Sequence, residues 1–581
     1  MTAQIRAGLP LEQTRSSESL DATSAAEVVG SSTRRSSTST TRRVLLAAML
    51  IVAAGLGSRG ILSEGSVSLQ GDMPRYMMNG AFLADFLLSG EAWTPHEIFR
   101  FAERYYAQYP ALSLGHHPPL LPAVLASVYA VVGISVFWSR VTILVFFVVA
   151  AWAMFSMTRR LYDERVAVWA TLLFVTNPAV TSYGQVVLSE MPMLTLVLLA
   201  MDALGRFSES GRARHYAWFV IAAVASLYAK QLAIFMVPAY LVYLLMYSGW
   251  RRLIKRDVLG LTLLGLLASL PMAAITFILS PENVAVVRFI SSTGRGLMFA
   301  QSLLWTILGA QLTVPIFLLV LAGVVLSIVR RDRRILVGLA WTLGVLAAVV
   351  YLTGRSGPER YAMVAVPGYF LCAAAVCAAA RSKRARWTAA AVLGAAVIYQ
   401  VWLGRNVRPH GAEGYEAAAQ YVLSHGESPT ILFSGPVDTG YFVFFVRKHD
   451  PRAQHIVLRA DKIFTTSRMS RSSVEDRIND RHEIYVLLRR YGTRFVVIED
   501  RTSDSHVLEW LREELKTERF IERHRIPVGT SDRRLRGVSL AIYEYRDTQP
   551  PDPAAELELH VPLVGRQVRV PLAELIDIGR Q

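Results

Sequence analysis

The chain has 581 residues, of which 53% are hydrophobic, and a formal net charge of +16. A mean hydropathy of +0.34 excludes an ordinary soluble enzyme. The positive charge would suit a nucleic-acid-binding protein, but most of it lies in short basic clusters beside apolar segments, which is the charge pattern of membrane topology. The composition therefore predicts a multispan membrane protein with membrane lipids, and no nucleic acid, as partners.

The apolar runs divide the chain into three regions. Residues 1–43 are rich in Ser and Thr, which predicts a disordered cytoplasmic tail. A helix needs about 20 apolar residues to cross the hydrocarbon, so residues 44–403 are predicted to form a membrane domain of about 11–13 spans. The basic clusters place the N-terminus in the cytoplasm and the loop 63–117 outside. The apolar runs are 44–62, 118–136, 139–157, 166–182, 187–204, 216–247 (two spans), 258–279, 302–329, 335–352, 361–380 and 387–403.

The sidedness of the early runs stays open. If the three runs between 118 and 182 all cross the membrane, Glu190 lies on the side opposite the loop 63–117. Arginines in the loop 158–165 favour the cytoplasm for that loop, whereas strict crossing puts it outside. Asn177-Pro178 interrupts the third of these runs, so a re-entrant segment or a half-span is an alternative there.

The region 404–581 is more polar and is predicted to be a soluble α/β domain on the extracytoplasmic side of the membrane. Helical and strand patterns alternate along it, which is typical of that fold class. The predicted elements are helices at 415–425, 475–491 and 504–517, strands at 429–434, 455–459 and 494–499, and a hairpin at 557–571.

The loop 63–117 carries the first candidate site, Gly71-Asp72-Met73-Pro74-Arg75-Tyr76. An Asp followed by Pro at a helix start is also the pattern of a simple N-cap. In the functional interpretation, Asp72 is a general base and Arg75 pairs with a phosphate. Aromatic residues at 94–107 predict a second helix at the membrane surface.

His116 and His117 open the second apolar run. They are either polar residues that simply mark the membrane boundary, or a second part of the site that faces Asp72. In the second case they would exchange protons, contact phosphate or bind a metal.

Charges inside apolar runs are costly and therefore indicate function. Lys230 is predicted to hold an anionic lipid head group, although a lysine at a helix end can also extend to the membrane surface. Glu190 is either part of the site or a structural partner of Lys230 or Arg140. Two further outside loops carry Arg288 and Arg360-Tyr361, which predicts a cationic rim around a phosphate.

Together these motifs resemble the GT-C superfamily of polyprenyl-phosphate-sugar transferases, above all the family 39 protein mannosyltransferases and the lipid A aminoarabinose transferase. The resemblance covers about residues 50–403 of the membrane domain. It rests on Asp72 with Arg75 and Tyr76, Pro118-Pro119, Glu190-Met191-Pro192, Ala229-Lys230-Gln231, and Arg360-Tyr361 followed by Pro367.

The resemblance implies a polytopic α-helical glycosyltransferase in a bacterial-type plasma membrane. It would move a sugar, with inversion, from a polyprenyl-phosphate donor to an acceptor at the extracytoplasmic face, with Asp72 as the catalytic base. The acceptor, whether protein, lipid or polysaccharide, and the sugar are not specified. The residues expected to bind the donor phosphate and sugar are Arg75, Tyr76, His116, His117, Glu190, Lys230, Gln231, Arg288, Arg360 and Tyr361.

The chain departs from the family pattern at two places. Met73 stands where the group commonly has a second acidic residue, and His116-His117 stands where the aminoarabinose transferase has Glu-Lys. No cofactor is therefore predicted with certainty, and a divalent metal held by Asp72 and His117 stays an alternative. A transporter or flippase for lipid-linked sugars is the second functional class, and it would favour inverted repeats. A non-catalytic scaffold is the third.

Overall fold

The computed structural model describes most of the membrane and C-terminal regions of the chain. The chain divides into two compact units, residues 1–51 and 52–581. The predicted tail and Arg288 lie outside the described residues. The described residues are 46–60, 67–68, 72–279, 309, 311–353, 359–405, 411–426, 428–436, 440–468, 473–503, 505–530, 533–561 and 566–578.

The membrane region is helical. By length and composition alone, five helices in the described part of the chain could each cross a membrane, and five shorter apolar helices accompany them. This confirms the predicted polytopic helical fold, while the number of spans stays a prediction. The helices are α1 (Leu46–Gly57), α2 (Met73–Leu88), α3 (Pro95–Gln108), α4 (Leu120–Val132), α5 (Val136–Leu161), α6 (Glu164–Thr176), α7 (Pro178–Tyr183), α8 (Glu190–Ser210), α9 (Ala213–Ala229), α10 (Val237–Tyr247), α11 (Trp250–Leu253), α12 (Arg256–Ala274), α13 (Val314–Val329), α14 (Ile335–Thr353), α15 (Val366–Ala379) and α16 (Lys383–Gly404).

Helices α5 and α8 lie side by side and run in the same direction. In their first halves, Thr195 Oγ1 of α8 donates to the carbonyl of Phe146 of α5 at 2.8 Å. In their second halves, Arg160 of α5 pairs with Asp202 of α8 at 2.9 Å. The start of α8 lies beside Asp72, because the Tyr76 hydroxyl of α2 donates to Ser189 Oγ at 2.7 Å. We call this side of the bundle the Asp72 end and the side of Arg160 the opposite end.

The run at 118–136 forms a helix that is shorter than the predicted span. Helix α4 has 13 residues, a length of about 20 Å. It runs along α2, since a Cβ built on Gly80 would lie 2.8 Å from Leu125 Cβ. Both α4 and the following α5 begin at the Asp72 end. Glu190 lies on the same side as Asp72, because Arg360 contacts both carboxylates.

The break at Asn177-Pro178 is confirmed. The Asn177 side chain accepts hydrogen bonds from the amides of Ala179 and Val180 and so begins the short helix α7. Its Nδ2 donates to the carbonyl of Gln311 at 2.7 Å, which anchors the break inside the bundle.

The C-terminal region is the predicted α/β domain. Its central sheet has the strand order β4-β3-β7-β9-β8, in which β3 pairs in parallel with β4 and β7 while β9 pairs antiparallel with β7 and β8. The predicted hairpin is present as β10–β11. The strands are β1 (Val67–Ser68), β2 (Gly411–Ala412), β3 (Thr430–Ser434), β4 (Ile456–Arg459), β5 (Thr465–Arg468), β6 (Ser473–Asp476), β7 (Thr493–Glu499), β8 (Phe520–Pro527), β9 (Ser539–Tyr545), β10 (Glu556–Val561) and β11 (Arg566–Pro571). The helices are α17 (Tyr415–His425), α18 (Gly440–His449), α19 (Ala460–Ile463), α20 (His482–Arg490), α21 (His506–Glu514) and α22 (Leu572–Ile578).

One predicted helix of this domain begins too early. The helix predicted at 475–491 starts only at His482, and residues 473–476 form β6. The Asp480 side chain accepts a hydrogen bond from the Glu483 amide, and the Asn479 amide donates to the Glu483 carboxylate. This reciprocal pattern is the one that fixes a helix start.

Candidate active site

Asp72 is the meeting point of three segments. Its Oδ2 lies 2.5 Å from Nη1 of Arg360, and its Oδ1 lies 3.7 Å from Arg75 and 3.8 Å from Nε2 of His117. Asp72 occupies the N-cap position of α2, yet its side chain makes no capping hydrogen bond. The carboxylate is turned to the cations instead, so a simple N-cap does not account for this residue.

The electrostatics of the pocket keep Asp72 ionised. Burial by itself would raise the pKa of Asp72, but Arg360 and Arg75 oppose this and hold the pKa well below its usual value. Burial, with His116 next to it, lowers the pKa of His117 well below its usual value. His117 is therefore neutral near pH 7, and the two arginines are the charges that stabilise the Asp72 carboxylate there.

A second carboxylate lies on the far side of Arg360. Glu190 is 1% exposed, and its Oε1 lies 2.5 Å from Lys230 Nζ and 3.9 Å from Arg360 Nε. Asp72, Arg360, Glu190 and Lys230 thus form a row of alternating charges. Among the described residues, the second oxygen of Glu190 has no hydrogen-bond partner. This oxygen can accept a hydrogen bond from a ligand or a water.

Aromatic rings fix this row in place. The Tyr76 ring lies on the His117 ring with 4.3 Å between centroids. The Tyr361 ring contacts both Lys230 Nζ, at 5.5 Å from its centroid, and the Arg360 guanidinium, at 5.6 Å. A cation over an aromatic face is attracted by the ring quadrupole and loses freedom to move away.

Most of the predicted site residues come together here. Arg75, Tyr76, His117, Glu190, Lys230, Arg360 and Tyr361 lie around Asp72 as described, and the His116 ring contacts that of His117 at 4.6 Å. Gln231 begins the 3-10 helix Gln231–Met236, and none of the described contacts joins its side chain to this cluster. Sequence reasoning missed Ser189, the partner of the Tyr76 hydroxyl, although it directly precedes Glu190.

The described residues do not form a metal site. In the described part of the chain, no group of three or more His, Cys, Asp or Glu side chains could share a metal ion. Asp72 and His117 provide only two donors, and Arg360 already contacts Oδ2 of Asp72.

An apolar groove of about 660 Å³ lies beside the cluster, between α4, α9 and α12. It begins close to the charges, because Pro119 follows His117 by two residues and Tyr228 precedes Lys230 by two. Its remaining walls are aliphatic, with Leu120, Val124, Val220, Val224 and Leu264 among them. Such a groove suits a hydrocarbon chain whose polar end meets Lys230 and Arg360.

Comparisons with known proteins agree with this architecture. The family of dolichyl-phosphate-mannose-protein mannosyltransferases matches residues 116–279. The crystal structure of ArnT from Cupriavidus metallidurans in the apo state superposes with a TM-score of 0.55 at 14% identity, covering 87% of this chain and 98% of that one. No curated protein sequence matches the chain. The family match and the shared fold together decide the classification.

The chain is a membrane glycosyltransferase, and it shares its fold with ArnT. The matched segment of this glycosyltransferase contains His117, Glu190 and Lys230. The structure of the same ArnT bound to undecaprenyl phosphate is similar as well, with a TM-score of 0.54 at 14% identity over 87% of this chain and 98% of that one.

Proposed function

We propose that the enzyme transfers a sugar from a polyprenyl-phosphate donor to an acceptor, with inversion at the anomeric carbon. The observation that carries this proposal is the row from Asp72 to Lys230, which places a base and two cations beside an apolar groove. A lipid phosphate needs both a cationic pocket and a place for its hydrocarbon chain. ArnT, which shares the fold, has been solved with undecaprenyl phosphate.

In this proposal the donor phosphate binds Lys230 and Arg360, with Arg75 at the more exposed side of the pocket. Arg360 can bind phosphate through two parallel N–H donors. Glu190 keeps Lys230 charged and in place, and Tyr361 limits the movement of both cations. The polyprenyl chain lies in the groove between α4, α9 and α12. His116, Gln231 and Arg288 stay candidate residues for binding the donor phosphate or its sugar.

The transfer step is a displacement at the anomeric carbon. Asp72 takes the proton from the acceptor hydroxyl or amine while that atom attacks the anomeric carbon. The bond from this carbon to the phosphate oxygen breaks, and the polyprenyl phosphate leaves with the bonding electron pair. Lys230 and Arg360 stabilise the negative charge that develops on the leaving phosphate.

Arg360 links donor binding to the strength of the base. Without donor, its guanidinium pairs with Asp72 and keeps the carboxylate weakly basic. A donor phosphate competes for the same guanidinium, so its arrival weakens the pair and raises the proton affinity of Asp72. The base is then activated only when a donor is present.

The charge pattern supports a site at the extracytoplasmic face of a bacterial-type plasma membrane. Helix α9 ends at Lys230, and the 3-10 helix Glu359–Ala365 carries Arg360, so both meet the Asp72 end. The basic clusters near residues 251–256, 330–334 and 381–386 follow helices that run towards the opposite end. Positive charge on that end favours the cytoplasm for it.

The test uses the purified full-length enzyme in detergent with a radiolabelled polyprenyl-phosphate sugar. We expect release of polyprenyl phosphate by the wild type and its loss in Asp72→Asn, with donor binding retained. Asp547→Asn is the matched control, because Asp547 pairs with Arg489 at the surface of the C-terminal domain. Full turnover by Asp72→Asn contradicts the proposed base. Movement of labelled donor across a vesicle membrane with its sugar–phosphate bond intact would support a flippase instead.

A further inference from the structure

The C-terminal domain contacts the two segments that deliver Asp72 and His117 to the active site. One is α2, which begins directly after Asp72. The other is the segment 109–117, which follows α3 and ends at His117. The C-terminal domain forms an ion pair with α2, and it forms hydrogen bonds with the segment 109–117 and with Gln108 just before it.

The contact between the C-terminal domain and α2 is a buried, bidentate ion pair. Arg447 of α18 donates from Nη2 to Oδ1 of Asp85 at 2.6 Å and from Nε to Oδ2 at 2.9 Å. The Tyr105 hydroxyl donates to the same Oδ2 at 2.9 Å. Arg447 is also tied to its own domain, since Nη1 donates to the Asp450 carbonyl at 2.9 Å. Only 8% of the Arg447 side chain is exposed.

On the segment 109–117 the contacts go mostly to backbone. Gln108, the last residue of α3, donates to the carbonyls of Ala453 and His455. Arg459 Nη1 donates to the Pro110 carbonyl at 2.9 Å. Hydrogen bonds join the two segments to each other as well. The Asn79 side chain of α2 donates to the Ser113 carbonyl and accepts from the Ser113 amide.

A two-pronged pair between arginine and carboxylate fixes direction as well as distance. Removing one partner leaves a buried charge without compensation, whereas the intact pair adds little net stability; its best-attested role is to specify one arrangement. Asp85 lies 13 residues after Asp72 in the same helix, which is about 20 Å along a rigid rod. A rotation of α2 at Asp85 is therefore transmitted to the Asp72 end.

We propose that Arg447 is a positioning residue for the transfer reaction. By holding Asp85 it sets the rotation of α2, and so keeps the Asp72 carboxylate aligned with Arg360 and His117. The C-terminal domain then contributes to the chemical step itself, besides any role in acceptor binding. This inference rests on the proposed role of Asp72 as the base.

The experiment compares Arg447→Gln and Arg447→Lys with Arg494→Gln in the full-length enzyme. The control removes an arginine that pairs with Glu544 at 2.8 Å inside the sheet of the same domain, away from α2. A misplacement of about 1 Å costs on the order of 100-fold in rate. We therefore expect kcat for donor turnover to fall about 10- to 100-fold in Arg447→Gln while KM for the donor changes less than about 2-fold. Arg447→Lys keeps the charge and should recover part of kcat.

Two readouts separate positioning from general stability. Amide hydrogen exchange over residues 73–80 should quicken in Arg447→Gln and stay unchanged in Arg494→Gln. Adding Asp85→Asn to Arg447→Gln should cause no further loss of kcat, because both act through one contact.

The proposal is overturned by an unchanged kcat in folded Arg447→Gln, or by an equal loss in the control. If Arg447→Gln does not fold, Arg447→Lys decides, and wild-type kcat in that variant with normal exchange at α2 overturns the proposal. Loss of kcat in Arg447→Gln together with full turnover by Asp72→Asn would reject the assigned base.

Discussion

Arg360 is shared by two carboxylates: Nη1 lies 2.5 Å from Oδ2 of Asp72, and Nε lies 3.9 Å from Oε1 of Glu190. Any anion that enters the site must compete for this guanidinium. In the proposed mechanism, the resting enzyme therefore holds its base and its phosphate-binding group in a mutual ion pair, and each becomes available when substrate arrives.

This sharing predicts two different acidic limbs in the pH dependence of the reaction. Arg360 helps to lower the pKa of Asp72 in the free enzyme, so protonation of the base there occurs well below its usual range. In the donor complex the phosphate draws Arg360 away, and the pKa of Asp72 rises. Because kcat/KM reports the free enzyme and kcat the complex, the acidic limb of kcat should lie at higher pH. Rate profiles between pH 3.5 and 8 test this, and coinciding limbs would contradict it.

The pair of Glu190 and Lys230 predicts a non-additive effect on stability. Glu190 is 1% exposed and Lys230 12%, so either single neutralisation leaves a buried charge without its partner. Glu190→Gln and Lys230→Met should each destabilise the protein by about 3–5 kcal/mol. The double variant should be more stable than either single one. Thermal unfolding in detergent measures this, and a simple sum of the two effects would contradict the pairing.

The sequence predicted the members of this cluster better than their arrangement. Lys230 and Glu190 could be found because a charge within an apolar run is costly and needs a reason. The apolar run at 118–136 has the composition of a span, but a helix that packs against α2 has the same composition, so composition alone cannot predict the contact at Gly80. The Arg447–Asp85 pair joins two separate domains, and no local sequence pattern predicts a pair between residues so far apart in the chain.

Gly80 predicts a packing requirement between α2 and α4. A Cβ there would lie 2.8 Å from Leu125 Cβ, so Gly80→Ala must push the two helices apart. Because α2 carries Asp72 and α4 follows His117, donor turnover should fall together with the melting temperature. Gly260→Ala in α12 is the control, since nothing lies within 4 Å of its added Cβ; it should be neutral or slightly stabilising. Equal behaviour of the two variants would contradict this packing.

Lys462 predicts a pH-dependent contribution to stability. Burial, together with Arg459, lowers the pKa of Lys462 to about 7 from its ordinary value of 10.5. The folded state then resists protonating Lys462, which costs stability below pH 7 and is relieved as the pH rises from 7 towards 10.5. The difference in melting temperature, wild type minus Lys462→Met, should therefore increase between pH 6.5 and 9.5. A difference that stays constant over this range would show that Lys462 titrates normally.

The site has a consequence for biosynthesis, because its members enter the membrane in a fixed order. A growing chain that stops before Lys230 holds the Glu190 carboxylate in the apolar bundle with neither cation that contacts it in the finished enzyme. Lys230 supplies the first counter-charge, and Arg360 joins last, with the 3-10 helix Glu359–Ala365. Nascent chains long enough to include Lys230 but not Arg360 should insert stably yet fail to retain a polyprenyl phosphate, so the proposed capacity to hold substrate arises only near the end of membrane integration.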